Sequence, residues 1–412
     1  MGAGSAGLLL GRGGGQYEAA PHHHARLLRR PPHEREQAGR HAHRRLRDRG
    51  AAGGQRHNRA GDLPIAVTTG HRVLVTGVSR ALGGELAHRL ESRDDVAAVY
   101  GLDIEDPKVA LDRTEFVHAD TRHSLLTKLV RGLSVDTVVH CAVLTEGRAG
   151  ARTVHETNVI GTMNLLAACS GADSPVRRVV VKSSVAVYGC EPYAPSYARE
   201  SHEESAQTRE FLANDLREME QLVSDFQVRN GSTTVTLLRL GHRLGFQYPT
   251  PLGEYFLLSR VPTFHGFDPR LQLLHDDDAV EALYRAAAAD HGGVFNVAGD
   301  GVLLLSQAIR LAGRRQLPVL LPFWRGLARA GPRATGYDLP ASIADFLAYG
   351  CVVDIDLLER EFGWRPPHTT RETLLQFLGR GESEPLSTGP QEYELSQYLQ
   401  RRRRLAAGSR RA

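Results

Sequence analysis

Nine residues near the start of the patterned part of the chain, Thr76-Gly77-Val78-Ser79-Arg80-Ala81-Leu82-Gly83-Gly84, combine the types that let a backbone cradle a phosphate. Gly77 permits a tight turn, and Gly83 lets the start of a following helix pack close. Backbone N–H groups and the positive helix end then face an anion such as a diphosphate. Ser79, Arg80, Ala81 and Leu82 complete the stretch that such a diphosphate touches. Twenty residues beyond Gly83 stands Asp103, followed by Ile104, at the end of the next β-branched run. A carboxylate there accepts both hydroxyls of an adenosine ribose and repels a 2′-phosphate, which favours NAD over NADP. One glycine of the pattern is missing, its place held by Arg80 or by Ala81 according to the spacing chosen. A Cβ there pushes a diphosphate outward, and the Arg80 guanidinium partly compensates. Arg80 speaks for NADP and Asp103 against it. Asp103 weighs more, because a strand end fixes its place while Arg80 rides on a loop.

These residues need elements to hold them. Arg72–Thr76, Val96–Ile104, Glu115–Asp120, Val135–Val143 and Arg177–Ser184 are continuous β-branched runs, as strands covered on both faces require. Gly84–Ser92, residues 124–131 and Thr153–Cys169 lie between them with apolar residues at helical spacing. Strand and helix in alternation predict a Rossmann-like, doubly wound parallel α/β sheet with right-handed crossovers. No repeat of 20 to 50 residues is visible, which sets solenoids aside.

The chain has 412 residues and a formal net charge of +4. Residues 1–62 hold twelve Arg against five acids (12 − 5 = +7), leaving 39 basic against 42 acidic groups (39 − 42 = −3) over 63–412. The basic balance therefore belongs to a tail and gives no licence for a nucleic-acid surface on the body. Gly, Arg and His dominate residues 1–62, a composition that predicts a disordered tail. His22-His23-His24 and Arg29-Arg30 within it read as solvated, with a metal or polyanion tract as the alternative. Residues 381–412, ending in Arg401-Arg402-Arg403-Arg404, read as a second polar tail. No uncharged apolar run reaches the roughly 18 residues of a membrane helix. Cys141, Cys169, Cys190 and Cys351 are scattered without a C-x-x-C pair, which argues against a disulfide framework and places the protein in a reducing cytoplasm.

Residues 70–375 resemble the extended short-chain dehydrogenase/reductases, the NAD-dependent epimerase/dehydratase family. The resemblance rests on the glycine turn, Asp120-Thr121, Val139-His140-Cys141-Ala142 and Asn158-Val-Ile-Gly161-Thr162, in that order. Ser183-Ser184-Val-Ala-Val-Tyr188-Gly189, Leu238-Arg239, Leu274-His275-Asp276-Asp277-Asp278 and Phe362-Gly363-Trp364 continue it. The C-terminal half is most similar to actinobacterial proteins named UDP-glucose 4-epimerase-like. The resemblance implies that Asp120 and Thr121 lie at the adenine, that Cys141, Ala142 and Val143 line the nicotinamide ribose, and that Asn158 and Ser183 belong to the same cofactor site. It further implies that Ser184 is catalytic, hydrogen-bonded to the reacting sugar hydroxyl, and that the chain forms a homodimer through Thr153–Cys169 and Arg209–Phe226.

The family's proton carriers, a Tyr and a Lys four positions later, have no counterpart here. The three lysines are Lys108, Lys128 and Lys182, preceded at that spacing by Ile104, Ser124 and Arg178. Alignment on Glu218-Met219-Glu220 puts Leu212, beside Phe211, and Leu216 at the two positions. A phenol of pKa about 10 needs a neighbouring cation to serve as base at neutral pH. Tyr188, Tyr193, Tyr197 and His265 remain as alternative donors, with Tyr188 first of all a packing residue. His275 with Asp276–Asp278 reads as a capped helix start rather than a metal site, since consecutive helical residues cannot all face one ion.

The expected protein is thus NAD-dependent and acts on a nucleotide sugar by transient hydride transfer, with a catalytically silent NAD(P)-binding protein of structural or redox-sensing role as the alternative. Residues 70–241 are expected to form the NAD-binding domain. Residues 242–375 should mainly form a smaller substrate-binding α/β subdomain, returning to the sheet near 275–300.

Overall fold

The computed structural model describes residues 70–380 apart from 124, 146–148, 193, 196, 203–210, 321–322 and 324–341. The chain divides into two units, Met1–Ala66 and Val67–Ala412, of which the first lies outside the described residues. The expected tails at 1–62 and 381–412, and the candidate donor Tyr193, also lie outside them.

The elements run β1 (His71–Thr76), α1 (Ala81–Leu90), β2 (Val96–Asp103), β3 (Thr114–His118), α2 (Leu126–Gly132), β4 (Thr137–His140), α3 (Ala151–His155), a π-helical stretch (Glu156–Gly161) and α4 (Thr162–Cys169). They continue with β5 (Arg178–Ser184), a 3-10 turn (Val185–Tyr188), α5 (Phe211–Arg229), β6 (Thr234–Leu240), α6 (Pro251–Leu257), β7 (Arg260–Phe264), β8 (Arg270–Leu271), α7 (Asp276–Ala288) and β9 (Gly293–Val297). The last are β10 (Leu303–Leu304), α8 (Leu305–Leu311), β11 (Arg315–Val319), α9 (Ser342–Tyr349), α10 (Asp356–Phe362) and α11 (Thr370–Phe377). Seven parallel strands form the main sheet in the order β3-β2-β1-β4-β5-β6-β9. Two two-stranded sheets, β10-β8 and β11-β7, come from the C-terminal half. Among the described residues no helix is long and apolar enough to cross a membrane.

The expected alternation of strand and helix holds, because β-branched runs buried on both faces suit a sheet layered between helices. Along each strand successive side chains face opposite sides. Val73, Val75 and Val180 join the core shared with α1 and α7, while Leu74, Val179 and Val181 join the core shared with α2, α4 and α5. The expected helix over Thr153–Cys169 is interrupted by its π stretch. There a Cβ on Gly161 would stand 2.7 Å from the Thr121 hydroxyl, so a glycine lets the helix close on the loop after β3. Asp276, Asp277 and Asp278 open α7 as expected, where their charge favours the positive helix end. The cap itself is His275, whose Nδ1 accepts from the Asp277 amide at 3.1 Å.

Candidate functional site

Strand order reverses between β1 and β4, and in open α/β sheets the crevice at the carboxyl ends of such strands is where ligands bind. The turn after β1 rises there. Gly77 has φ +78°, and a Cβ on it would lie 2.7 Å from the Ala142 backbone. A Cβ on Gly83 would run into the Gly77 carbonyl oxygen, so α1 starts as close to the strand as two glycines permit. Arg80 precedes the helix with an extended backbone and an exposed side chain. The missing middle glycine therefore leaves the turn intact and puts a guanidinium at its rim.

Asp103 ends β2 and faces this turn. Its Oδ2 accepts from the Ser79 amide at 3.0 Å and from the Ser79 hydroxyl at 2.6 Å, and its Oδ1 accepts from the Ile104 amide at 2.8 Å. The carboxylate is half-buried and the Ile104 side chain is exposed. Asp120 sits on the loop after β3, where Arg122 donates from Nε at 2.9 Å and from Nη2 at 2.6 Å. That guanidinium holds the Asp120 carboxyl below its ordinary pKa.

Arg80, Ala81, Leu82, Cys141 and Val143 line a single cleft of about 210 Å³. Its wall also includes Lys108, Lys182, Arg243 and Tyr248, which no motif in the sequence marks. Tyr248 comes from the loop after β6. That loop is fixed by Arg243 donating to Asp276 at 2.8 Å and by the Phe246 amide donating to the same carboxylate at 2.9 Å. Lys108 lies 6.0 Å from the Tyr248 ring centre. For Lys182 a signal existed in the sequence: a lysine at the end of a β-branched strand in a chain with three lysines and 48 arginines.

Other expected contacts turn away from the cleft. Asn158 is fully buried, and its amide is spent on the Leu144 backbone, accepting at 2.7 Å and donating at 2.9 Å. It fixes the loop after β4. Thr121 is buried beneath Gly161. Ser183 points to the opposite side of the sheet and donates to Glu220 on α5. Glu220 also accepts from Arg239 at 2.5 Å, Arg239 donates to the Tyr188 hydroxyl at 3.0 Å, and Tyr188 donates to Asn296 at 2.8 Å. Burial pushes the Tyr188 phenol above its ordinary pKa, only partly countered by Arg239. Tyr188 is thus the structural residue expected first, within a fully used buried network.

Ser184 faces the same side of β5 as Lys182, two residues further along. Its Oγ accepts from the Ala186 amide at 3.2 Å, capping the 3-10 turn. The carbonyl of the next residue, Val185, accepts from the Cys351 thiol at 3.7 Å. Cys351 lines a second cavity of about 400 Å³, together with Glu191, Asp268, Arg270 and Tyr349. Ser184 itself is buried, and it is among the described lining residues of neither cavity. Leu216 on α5 is fully buried and Leu212 half-buried. Tyr197 is exposed.

A glycine turn at the reversal point of a parallel sheet, with an acid closing the next strand, defines a Rossmann-like crevice. The chain belongs to the NAD dependent epimerase/dehydratase family, whose model matches residues 73–298. An uncharacterized protein of Mycobacterium tuberculosis strain H37Rv is 39% identical over 318 residues, covering 75% of this chain and 84% of its own. Among solved structures, the UDP-glucose 4-epimerase of Thermotoga maritima with UDP-glucose superposes at TM-score 0.58 and 17% identity, over 75% of this chain and 97% of that one. The dTDP-glucose 4,6-dehydratase of Bacillus anthracis in complex with NAD gives 0.56 and 16%, over 75% and 96%. These two likenesses show a shared fold.

Proposed function

We propose that this protein binds NAD and acts on a nucleotide sugar, in the manner of a UDP-glucose 4-epimerase. The observation that carries the reading is the glycine turn at the strand-order reversal, faced by Asp103 and opening on a cleft lined by basic side chains. The crevice fits a dinucleotide: its turn admits no Cβ at Gly77 or Gly83, its cleft is lined by Arg80, Lys108, Lys182 and Arg243, and Asp103 faces the turn. When bound, NAD supplies a hydride acceptor for a sugar carbinol carbon. Asp103 would hold the adenosine ribose, and the first turn of α1 would present amides to the diphosphate. Ser184, at the carboxyl end of β5, would hydrogen-bond the reacting hydroxyl. The second cavity, with Arg270 on its wall, would take the nucleotide diphosphate of the sugar. Residues 242–275 and 300–375 would then serve as the substrate-binding part. Exposed Met163 on α4 and Phe211 on α5 agree with a homodimer through these helices.

A second reading is favoured by one feature. With Leu212 and Leu216 on α5 where the family resemblance calls for Tyr and Lys, the protein would bind the dinucleotide without turnover. Loss of such an acid–base pair removes on the order of 10² to 10⁴ in rate. Purified protein with UDP-glucose and NAD, its products resolved by NMR, separates the two. Formation of UDP-galactose supports the epimerase reading. NAD binding with no product and no cofactor reduction over days rejects it for this substrate in favour of the silent one.

A further inference from the structure

We infer that Lys182 is the cation that anchors the nicotinamide-side half of the dinucleotide, supplying from strand β5 a charge that α5 does not. The inference rests on the dinucleotide reading above and adds a residue to it.

The register fixes where Lys182 lies. His140, the last residue of β4, pairs with Val181, so Cys141 and Lys182 are the next neighbours across the strands at the carboxyl edge. Thr76 likewise pairs with His140, which sets Gly77 beside Cys141. Gly77, Cys141 and Lys182 thus form one row across the reversal point, and the phosphate turn stands at one end of it. Val180 packs against α1 and α7, and alternation puts Lys182 on that same side. Its side chain is 6% exposed and nevertheless lines the cleft. The positive charge is felt at both His140 and Cys141.

The surroundings favour an anion. The described lining residues of the cleft include Arg80, Lys108, Lys182 and Arg243 and no carboxylate. Arg80 and Lys108 are exposed, Arg243 is engaged by Asp276, and Lys182 is the buried cation of the set. Two of the three lysines of a chain with 48 arginines lie here. A lysine offers a compact point charge on a flexible stem, which fits beneath a ribose-phosphate where a planar guanidinium would need a fork of acceptors. A dinucleotide whose diphosphate lies on the Gly77 turn and whose second half extends toward Ser184 passes over this ammonium.

The test compares wild type, Lys182→Gln and Lys182→Arg by calorimetry with NAD and with AMP, which represents the adenosine half alone. Loss of a charged hydrogen bond predicts roughly tenfold or more weaker NAD binding in Lys182→Gln, with AMP unchanged within about twofold and Lys182→Arg in between. Equal NAD affinity in Lys182→Gln, or equal loss for NAD and AMP, overturns the inference. If wild type binds neither NAD nor NADP, the dinucleotide reading itself falls. If Lys182→Gln does not fold, reductive methylation of wild type followed by mass spectrometry reads the same contact. Saturating NAD should protect Lys182 while leaving the exposed Lys128 on α2 as reactive as before, and equal reactivity of Lys182 with and without NAD overturns the proposal.

Discussion

Under the proposed dinucleotide reading, Asp103 serves both the turn and a ligand. Its two oxygens already organise the Ser79 hydroxyl and two backbone amides, yet each carboxylate oxygen can accept twice. If Asp103 holds the ribose as proposed, Asp103→Ala removes that charged acceptor and at the same time frees the Ser79 loop. Calorimetry should show NAD weakened by roughly tenfold or more, and NADP less, because the repulsion of a 2′-phosphate disappears with the charge. An equal or opposite ranking would place the acid away from the ribose. Cys141 lines the same cleft, but burial pushes its thiol up to about 12, the charge of Lys182 working the other way, so it serves as wall and not as nucleophile.

At the scale of elements, the crevice depends on how closely α1 approaches β1. The helix start lies against the Gly77 carbonyl with no room for a methyl group. Gly83→Ala must therefore shift the helix or the turn, at a cost of about 1–3 kcal/mol. The urea midpoint should fall accordingly, and NAD binding should be lost even under conditions where the variant stays folded. Retained NAD affinity would show that the turn tolerates the shift and that the amides of α1 are not the phosphate ligands. The loop after β6 is the second positioning element. Asp276 ties it to α7, and the φ of +74° at Gly245 lets it turn back so that Tyr248 reaches the cleft.

For the molecule as a whole, two buried polar groups bind layers together. One is the Glu220–Arg239–Tyr188–Asn296 network, which joins α5, β6 and β9. The other is His140, accepting or donating at 2.7 Å to Thr76 and at 2.9 Å to Thr162, which joins β4 to β1 and α4. Burial, helped by the nearby Lys182, lowers the His140 pKa to about 3. The imidazole is neutral in the folded protein across the physiological range, whereas in the unfolded chain it takes up a proton as pH drops through about 6.5. The unfolded state then binds more protons, so stability is complete above about 6.5 and declines as pH falls toward 3. The slope from this group approaches about 1.4 kcal/mol per pH unit. Urea unfolding at pH 7, 6 and 5 should show the decline, and His140→Asn should flatten it. An unchanged slope in that variant would assign the acid sensitivity to other groups.

The sequence by itself determined the alternating parallel architecture, the glycine turn, the acid at the end of β2 and the capped start of α7. Each is a local matter of backbone freedom, side-chain period or spacing. It did not decide which residues at the strand ends meet in the crevice. Ser183 and Lys182 are neighbours in the chain with opposite destinations, one donating to Glu220 beneath α5 and the other lining the cleft. Alternation fixes that they differ, but which face becomes the crevice follows from the crossovers and from the loop after β6, contacts between residues far apart in sequence. Asn158 makes the same point: the motif is readable, but the π stretch turns its amide onto Leu144. Tertiary packing alone assigned those directions, because a buried polar group takes whatever partner the neighbouring layer brings within reach.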